Sequence, residues 1–358
     1  MSRIAVVLFN LGGPDSPEAV EPFLRNLFGD PAILRVPAFV RRFLGPIIAR
    51  RRAPTARAIY DKIGGRSPIL PQTEAQASAL DAALARRDAA HVFHSFIAMR
   101  YWHPFSAATA SSVKSYAPDR IVLLPLYPQL STTTSDSSIG DWHAAARRAG
   151  LAAPTQAVCC YPIQAGFIAA AASLIRPHYE SAAAKGPTRL LFSAHGLPEK
   201  VVRAGDPYQW QVERTAQAIV ERLAIPDLDW RVCYQSRVGP LKWIGPSTES
   251  EIERAGGNGR AVVLFPVAFV SEHSETLVEL DIEYRELAHA AGVPDYRRVA
   301  TVGVEAAFID GLADLVLRVV ADPSAAIGND GAVLACADGF SGCPRRPNST
   351  SKRRWTTR

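Results

Sequence analysis

The chain has 358 residues, of which 48% are hydrophobic, and a mean hydropathy of +0.01, as expected of a globular protein large enough for two domains. Its formal net charge of +6 resides in the segment after Cys343, whose six positive residues and absence of acids leave residues 1–343 neutral. A basic field for nucleic acid is therefore not supported, and no apolar run is long enough to predict a membrane-spanning helix.

Six apolar, β-rich runs alternate with helical patterns along the chain, at residues 4–9, 91–98, 120–126, 188–194, 230–236 and 261–267. Near-continuous apolar strands separated by helices are typical of a parallel sheet that is covered on both faces. The sequence therefore predicts an α/β fold. The first run, IAVVLF, is better explained as a first strand than as a signal peptide, so we expect a cytoplasmic protein.

The two halves of the chain resemble each other in sequence. VVLFNLGGP (6–14) resembles LLFSAHGLP (190–198), and IVLLPLYPQLSTTTS (121–135) resembles VVLFPVAFVSEHSET (262–276). Between these pairs, FIAMRYWHP resembles CYQSRVGPLKW. Chance likeness between strands is the alternative, which three matches in the same order disfavour.

The repeat predicts two similar, doubly wound parallel-sheet domains. We place the N-terminal domain at 1–150, with an insertion at about 31–66, and the C-terminal domain at 151–322. We expect 323–358 to be a cysteine-containing extension with a disordered basic tail.

A basic block lies within the predicted insertion. Residues 35–57 contain seven arginines and no acid, and apolar residues are interleaved with them. An ordinary surface helix would explain this pattern. The alternative is an apolar lip with a cationic rim, which would suit an anionic membrane surface or an amphipathic acidic ligand.

Polar side chains follow three of the predicted strands. Asn10 follows the first strand, His195 ends the strand at 188–194, and Glu272, His273 and Glu275 follow the strand at 261–267. Ligands of such sheets bind beyond the carboxyl ends of the strands, so we expect these groups to face one cleft. A histidine at a strand end is often only a loop hydrogen bonder, but it can also accept a proton or bind a borderline metal ion.

The run SETLVELDIEYRE, from Ser274, predicts a helix with two contrasting faces. If the helix is regular and α-helical, one stripe carries only acids, namely Glu275, Glu279, Glu283 and Glu286. The opposite side is apolar, with Leu277, Leu280, Tyr284 and Leu287. A solvated face would explain the acids, but such faces usually mix charge signs. Oxygen ligands with one or two histidines would also suit Fe²⁺ or Mg²⁺.

Aromatic residues crowd the same strand ends. Each of them could be a core residue, but together they suggest walls for a large flat ligand: Tyr60, Tyr101, Trp102, Trp243 and Phe269. The glycine loops NLGGP and IGGRSP match neither a dinucleotide-binding fingerprint nor a phosphate-binding loop. Nucleotide binding is therefore not supported.

These motifs together closely resemble the ferrochelatase family, whose members insert Fe²⁺ into a porphyrin. The resemblance covers about residues 4–320 and rests on LFNLGGP, IGGRSPI, MRYWHPF, LLPLYPQLSTTTS, FSAHGLP, YQSRVGPLKWIGPST and FVSEHSETLVELDIEY. It implies a chelatase-like fold in which two α/β domains flank a porphyrin cleft. It also implies formation of protohaem from Fe²⁺ and protoporphyrin IX, the terminal step of haem biosynthesis. The alternatives are coproporphyrin or another tetrapyrrole as substrate, and a porphyrin or haem carrier without catalysis.

The resemblance also implies roles for individual residues. His195 matches the catalytic histidine, and Glu275 is its acidic partner across the porphyrin, where both face the metal. A proton or metal path continues along His273, Glu279 and Glu283. Porphyrin contacts are implied for Leu11, Arg52, Tyr60, Ser67, Arg100, Tyr101, Trp243 and Phe269.

Five cysteines in a chain without a signal peptide argue against a disulfide framework. Some members of the family carry a [2Fe–2S] cluster on one internal and three C-terminal cysteines. Cys336 and Cys343 fit two of the C-terminal positions, Arg345 occupies the third, and Cys159 or Cys160 fits the internal one. Two interpretations remain: the cysteines hold a cluster with one ligand unassigned, or they are ordinary thiols in the tail. A cytoplasmic location with peripheral contact to the inner face of the membrane, through residues 35–57, completes the expectations.

Overall fold

The computed structural model describes residues 1–237, 241–322, 327–328, 339–344 and 355, and of 327–328 only the backbone. Two parallel sheets form the centre of the protein. The first has the strand order β2-β1-β3-β4-β9, and the second has the order β6-β5-β7-β8. The strands are β1 (Ser2–Asn10), β2 (His91–Met99), β3 (Arg120–Pro125), β4 (Thr155–Val158), β5 (Thr188–His195), β6 (Trp230–Gln235), β7 (Ala261–Pro266), β8 (Tyr296–Arg298) and β9 (Ile327–Gly328).

Helices connect the strands and cover both sheets. They are α1 (Val20–Gly29), α2 (Ala38–Asp61), α3 (Ile69–Arg87), α4 (Ser106–Tyr116), α5 (Ser135–Ala149), α6 (Ala165–Ala183), α7 (Glu199–Arg203), α8 (Tyr208–Leu223), α9 (Thr248–Gly257), a π-helix (Glu275–Glu283), α10 (Tyr284–Ala290) and α11 (Ala306–Ala321). The α/β architecture with parallel sheets is therefore confirmed.

Alternation along the central strands explains why both faces of each sheet are covered. In β1, Ile4, Val6 and Leu8 belong to one buried cluster, and Ala5, Val7 and Phe9 belong to another on the opposite face. The first of these clusters also contains Leu190 and Phe192 of β5. The two sheets therefore share one hydrophobic core, to which α3, α6 and α11 contribute.

The topology confirms the internal repeat. Apart from β9, the two strand orders are the same, with β1 in the position of β5, β3 in that of β7 and β4 in that of β8. The chain leaves the first sheet only after β4, a few residues beyond the boundary suggested at residue 150. Whether the two halves are independent domains stays a prediction.

Part of the C-terminal extension returns to the first half. β9 pairs with β4, and Trp355 is 2% exposed in the cluster on the outer face of the first sheet. The Trp355 indole donates a hydrogen bond to Asp136 at 2.9 Å. The expectation of a disordered tail is therefore wrong at this residue, because an aromatic side chain buries its apolar ring while its N–H finds a partner.

The basic block forms most of the long helix α2. Small residues on one side, Gly45, Ala49 and Ala53, are buried, and an added Cβ at Gly45 would lie 3.1 Å from the carbonyl oxygen of Phe28 near the end of α1. The other side exposes Phe39, Phe43 and Ile47, which are 70%, 72% and 50% accessible. These three residues are four apart and form one apolar stripe pointing away from the protein.

Candidate active site

His195 is the last residue of β5, one of the two inner strands of the second sheet. Its Nδ1 lies 2.7 Å from the carbonyl oxygen of Gly196. A carbonyl can only accept, so this contact places the proton on Nδ1 and leaves the Nε2 lone pair free. Nε2 lies 3.7 Å from Oε1 of Glu275. The imidazole is therefore oriented with a proton-accepting nitrogen toward Glu275.

Glu275 lies between two imidazoles. Its other carboxylate oxygen is 3.6 Å from Nε2 of His273, and its side chain is 30% exposed. Burial raises the pKa of Glu275, but the positive charge that His195 carries when it is protonated, together with the neighbouring His273 imidazole, outweighs it and lowers the pKa to about 2. Glu275 is therefore an anion across the physiological pH range.

The acidic helix begins as a π-helix over Glu275–Glu283 and becomes α-helical only from Tyr284. The Tyr284 N–H bonds the carbonyl oxygen of Glu279, five residues earlier. The expectation of a regular α-helix from Ser274 is therefore wrong, because acids four apart share a face in both kinds of helix and cannot distinguish them. Short π-helical segments occur frequently at functional sites.

Glu279 is held by several donors from the neighbouring strand and helix. Ser236 donates through its N–H at 2.9 Å and through its hydroxyl, Gln235 through its amide at 3.2 Å, and Tyr284 through its hydroxyl at 3.1 Å. Burial and the negative charge of Glu275 nevertheless raise the pKa of Glu279. The two carboxylates have pKa values that their surroundings shift in opposite directions, an arrangement typical of paired acid and base groups.

Glu283 ends the acidic path at the surface. Its carboxylate is 3.3 Å from the Lys62 ammonium, which follows α2 in the other half of the chain. The sequence shows no cation on the acidic stripe itself, but the structure supplies one from the other half of the chain. Sequence reasoning missed Lys62 because its partner is 221 residues away.

Arg100 and Tyr101 lie at the end of β2, on the side of the first sheet. The Tyr101 hydroxyl donates to Asp30 at 2.8 Å, and the Arg100 guanidinium pairs with the same carboxylate at 2.8 Å. Tyr101 is fully buried, whereas Arg100 lines a cavity of 530 Å³ together with Arg35, Thr132, Asp136, Asp206 and Gly342. Neither His195 nor Glu275 lines this cavity, so Arg100 faces a different space from that pair.

The other expected porphyrin contacts divide into two groups. Phe269 lies against the His273 ring at 4.5 Å between centroids, and the Tyr60 hydroxyl oxygen accepts from Ser274 at 3.4 Å. Trp243 lies close to the backbone beside His195, because a Cβ on Gly196 would come within 3.2 Å of its ring. Phe269, Tyr60 and Trp243 therefore border the His195–Glu275 pair.

Ser67, Leu11 and Arg52 lie on the side of the first sheet. Ser67 is buried, and its side chain would be 2.5 Å from a Cβ on Gly13 of the NLGGP loop. Leu11 is half-buried, and Arg52 is exposed with its guanidinium 6.0 Å from the Phe28 ring centroid. Within the described part of the chain, no direct hydrogen bond or ion pair joins these three to His195.

The cysteines of the expected cluster are only partly described. Cys159 and Cys160 are buried at the end of β4, with their sulfur atoms 3.5 Å apart, and Cys343 is buried beside the turn at Gly205. Cys336 and Arg345 lie outside the described residues. Among the residues that the structure describes, no three Cys, His, Asp or Glu side chains are grouped as a metal site requires.

Sequence reasoning missed Asp30, Gln235 and Ser236 as well as Lys62. Gln235 and Ser236 could have been found, because they end the strand beside β5 and the rule that located His195 applies to them too. Asp30 gave no signal, since it pairs with residues 70 and more positions away.

Comparison with known proteins assigns the chain to a family. The chain matches the ferrochelatase family over residues 3–320. A ferrochelatase of Caulobacter vibrioides is 52% identical over 98% of this chain and 99% of its own length, and one of Phenylobacterium zucineum is 55% identical over 88% and 91%.

Solved structures agree in fold. SirB from Bacillus subtilis, solved with Fe³⁺, has a TM-score of 0.52 at 11% identity and covers 89% of this chain and 95% of its own. At that identity the likeness supports the fold alone. The match to the family over most of the chain, with relatives above 50% identity, is decisive: the protein belongs to the ferrochelatase family.

Proposed function

We propose that the protein inserts Fe²⁺ into protoporphyrin IX to form protohaem, with both as substrates. The observation that carries this proposal is the position of Glu275, whose carboxylate lies within 3.7 Å of both the His195 and the His273 imidazoles. A base and an anion at the mouth of one cleft suit a reaction that removes protons and brings in a cation.

His195 is the proposed proton acceptor. A planar free-base porphyrin carries two N–H protons that must leave before the metal is bound by four nitrogens. The hydrogen bond from Nδ1 to Gly196 leaves Nε2 as the accepting atom. Glu275 then stabilises the imidazolium that forms and attracts the incoming Fe²⁺, since opposite charges at this distance favour both.

Glu279, with Glu283 and His273, is proposed to carry protons or metal between this pair and solvent. The raised pKa of Glu279 makes it the carboxylate that holds a proton more readily than Glu275 does. Glu283 is 45% exposed and therefore reaches water. The dependence of the rate on pH and on Fe²⁺ concentration, measured for variants at each position, distinguishes a proton path from a metal path.

Residues of both halves are proposed to hold the porphyrin. Aromatic and apolar side chains would contact the ring, and polar ones its propionates: Leu11, Trp243 and Phe269 for the ring, and Arg52, Tyr60 and Ser67 for the propionates. Arg100 is proposed for the opposite face. Tyr101, for which the resemblance also implied a contact, is fully buried with its hydroxyl on Asp30 and is not proposed as one. The exposed apolar stripe of α2 favours protoporphyrin, which is less soluble than coproporphyrin.

An anaerobic assay of Fe²⁺ insertion with each porphyrin tests the proposal. We expect turnover with protoporphyrin IX and slower turnover with coproporphyrin. His195→Ala should lose at least 90% of the rate while still quenching porphyrin fluorescence on binding. Porphyrin binding without turnover by the wild-type protein would support a carrier, and faster turnover with coproporphyrin would assign the other substrate.

We also propose that residues 35–57 attach the protein to anionic membranes. Among the described residues, no helix is both long and apolar enough to cross a membrane. The α2 stripe presents Phe39, Phe43 and Ile47 to solvent beside the arginines, which is the arrangement of an interfacial helix. Each arginine near an anionic leaflet contributes about 1 kcal/mol.

Co-sedimentation with vesicles tests this attachment. Partition should fall by about two to four orders of magnitude when Phe39 and Phe43 are both changed to Ser, since each buried Phe contributes about 1.5–3 kcal/mol. Val304→Ser, which removes an exposed apolar side chain elsewhere, is the matched control and should not change it. Equal partition of the double variant and the wild type would contradict the proposal.

A [2Fe–2S] cluster is the remaining proposal, and it rests on cysteine spacing. Burial of Cys159, Cys160 and Cys343 is compatible with it, but the described residues do not by themselves assemble its ligands. Anaerobically purified protein should contain iron and acid-labile sulfide in equal amounts, about two each per chain, and Cys336→Ser should remove both. Colourless, sulfide-free protein would mean that these cysteines are ordinary thiols.

A further inference from the structure

A row of polar side chains on α3, in the N-terminal half, contacts the loop that leads to Glu275 in the C-terminal half. Gln76 is completely buried. Its amide donates to the carbonyl oxygen of Val270 at 2.8 Å and to that of Gly303 at 3.0 Å, and its oxygen accepts from the Ser271 hydroxyl at 3.0 Å. Two of the three bonds join this side chain to the segment between β7 and the π-helix, and the third joins it to the loop after β8.

One turn earlier on the same face of α3, Gln72 extends this contact. Its side-chain oxygen accepts from the N–H of Glu272 at 2.7 Å. Asn10, at the end of β1, donates to the Thr73 hydroxyl at 3.0 Å and thereby joins α3 to the first sheet. Three consecutive residues of the loop, Val270 to Glu272, are therefore held by the N-terminal half immediately before His273 and Glu275.

We infer that Gln76 is a positioning residue that sets the distance between Glu275 and His195. The two groups belong to different strands of the second sheet, so the distance of 3.7 Å between Glu275 and Nε2 depends on how the loop before Glu275 is held. Bonds within the C-terminal half, such as that from the Gly303 N–H to Val270, hold part of this loop, and Gln76 adds the bonds from the N-terminal half. Gln76 fixes the loop at a carbonyl and a hydroxyl and ties it to a second loop at Gly303. The inference rests on the proposed function, because it assigns Gln76 to the same reaction.

Gln76 acts through Glu275 and contacts neither the imidazole of His195 nor that of His273 among the described hydrogen bonds. Its replacement should therefore change the chemical step more than porphyrin binding, because the aromatic side chains proposed to contact the ring remain in place. A displacement of about 1 Å at a catalytic group can cost about 100-fold in rate. Methionine has nearly the shape of glutamine without its hydrogen bonds, so Gln76→Met tests the bonds and not the volume.

The experiment is a double-mutant cycle of Gln76→Met and Glu275→Gln, with anaerobic Fe²⁺ insertion measured per porphyrin-binding site. We expect Gln76→Met to lower kcat at least tenfold, with porphyrin Kd within threefold of wild type. In the Glu275→Gln background it should have an effect of less than twofold, because there is no carboxylate left to position. Gln156→Met is the matched control. Gln156 lies on β4, is also buried, and donates to the carbonyl oxygen of Asp322 at 2.8 Å.

Additive effects in the cycle, or a kcat within twofold of wild type for Gln76→Met, would overturn the inference. If Gln76→Met does not fold, Ser271→Ala removes one of the same bonds and should give a smaller loss with the same dependence on Glu275. A wild-type protein without Fe²⁺ insertion would contradict the proposed function instead. The two failures are therefore distinguishable.

Discussion

Replacing Glu275 by Gln removes a charge and leaves the shape of the side chain almost unchanged. The shift of the Glu275 pKa from 4.5 to about 2 corresponds to about 3 kcal/mol of net interaction that favours the anion. Burial opposes this shift, so the attraction to the two histidines exceeds the net value. Because 30% of the side chain is exposed, water screens part of it, and we take about 2 kcal/mol for the effect on the imidazolium.

If that interaction is made mainly in the transition state, kcat should fall about 30-fold. The assay follows the loss of porphyrin fluorescence during anaerobic Fe²⁺ insertion. Porphyrin Kd, measured by quenching of tryptophan fluorescence, should stay within threefold, because an amide in place of the carboxylate leaves the packing against the ring unchanged. Glu253→Gln removes an exposed carboxylate from α9 and is the matched control, with kcat expected to match wild type.

Two results would refute this reasoning. A kcat within threefold of wild type would mean that the anion between the two imidazoles does not stabilise the reacting charge. An unchanged kcat with a porphyrin KM raised 30-fold would place Glu275 in substrate binding, since uniform binding affects KM alone.

Three further predictions concern the surroundings of the site. Gly13→Ala should raise the porphyrin KM about tenfold, measured by initial rates, because its Cβ would lie 2.5 Å from the Ser67 side chain. Arg298→Met should lower the free energy of unfolding by about 3–5 kcal/mol in denaturant titrations, because it leaves the nearly buried Glu272 carboxylate without its cation, whereas Asp281 keeps Arg285. Burial, with the charge of Arg147, lowers the pKa of His143 from 6.5 to about 4. The neutral imidazole therefore makes its full contribution to stability above pH 6.5, and this contribution is lost as the pH falls toward 4. Between pH 7 and pH 4, the free energy of unfolding should therefore decrease by about 3 kcal/mol less in His143→Gln than in the wild type.

The strand-end rule explains how much of the site could be predicted from the sequence. It located Asn10, His195 and Glu275 because parallel strands end at a common edge, and the structure brings His195 and Glu275 within 3.7 Å. The apolar strands could be found because sheets covered on both faces need continuous apolar runs.

The features that could not be predicted depend on partners distant in the chain. Lys62 reaches Glu283 and Gln76 reaches Val270 across the two halves, and neither residue has a local pattern that names its partner. The π-helix was missed for a different reason, because acids four apart satisfy both an α-helix and a π-helix. Trp355 was missed because a polar, basic composition concealed one buried aromatic side chain.

The repeat shows how one architecture supports two different roles. Under the alignment of the halves, Leu11 occupies the position of His195 and Thr134 that of Glu275, after topologically equivalent strands. In the first half, the helix that follows Thr134 is the regular α5, whereas in the second half the equivalent helix starts as a π-helix at Glu275. The first half therefore has an apolar side chain and an ordinary helix start where the second has an imidazole and a carboxylate. Since α3 of the first half also contacts the loop at residues 270–272, the half that lacks the His195–Glu275 pair helps to hold the segment that precedes it.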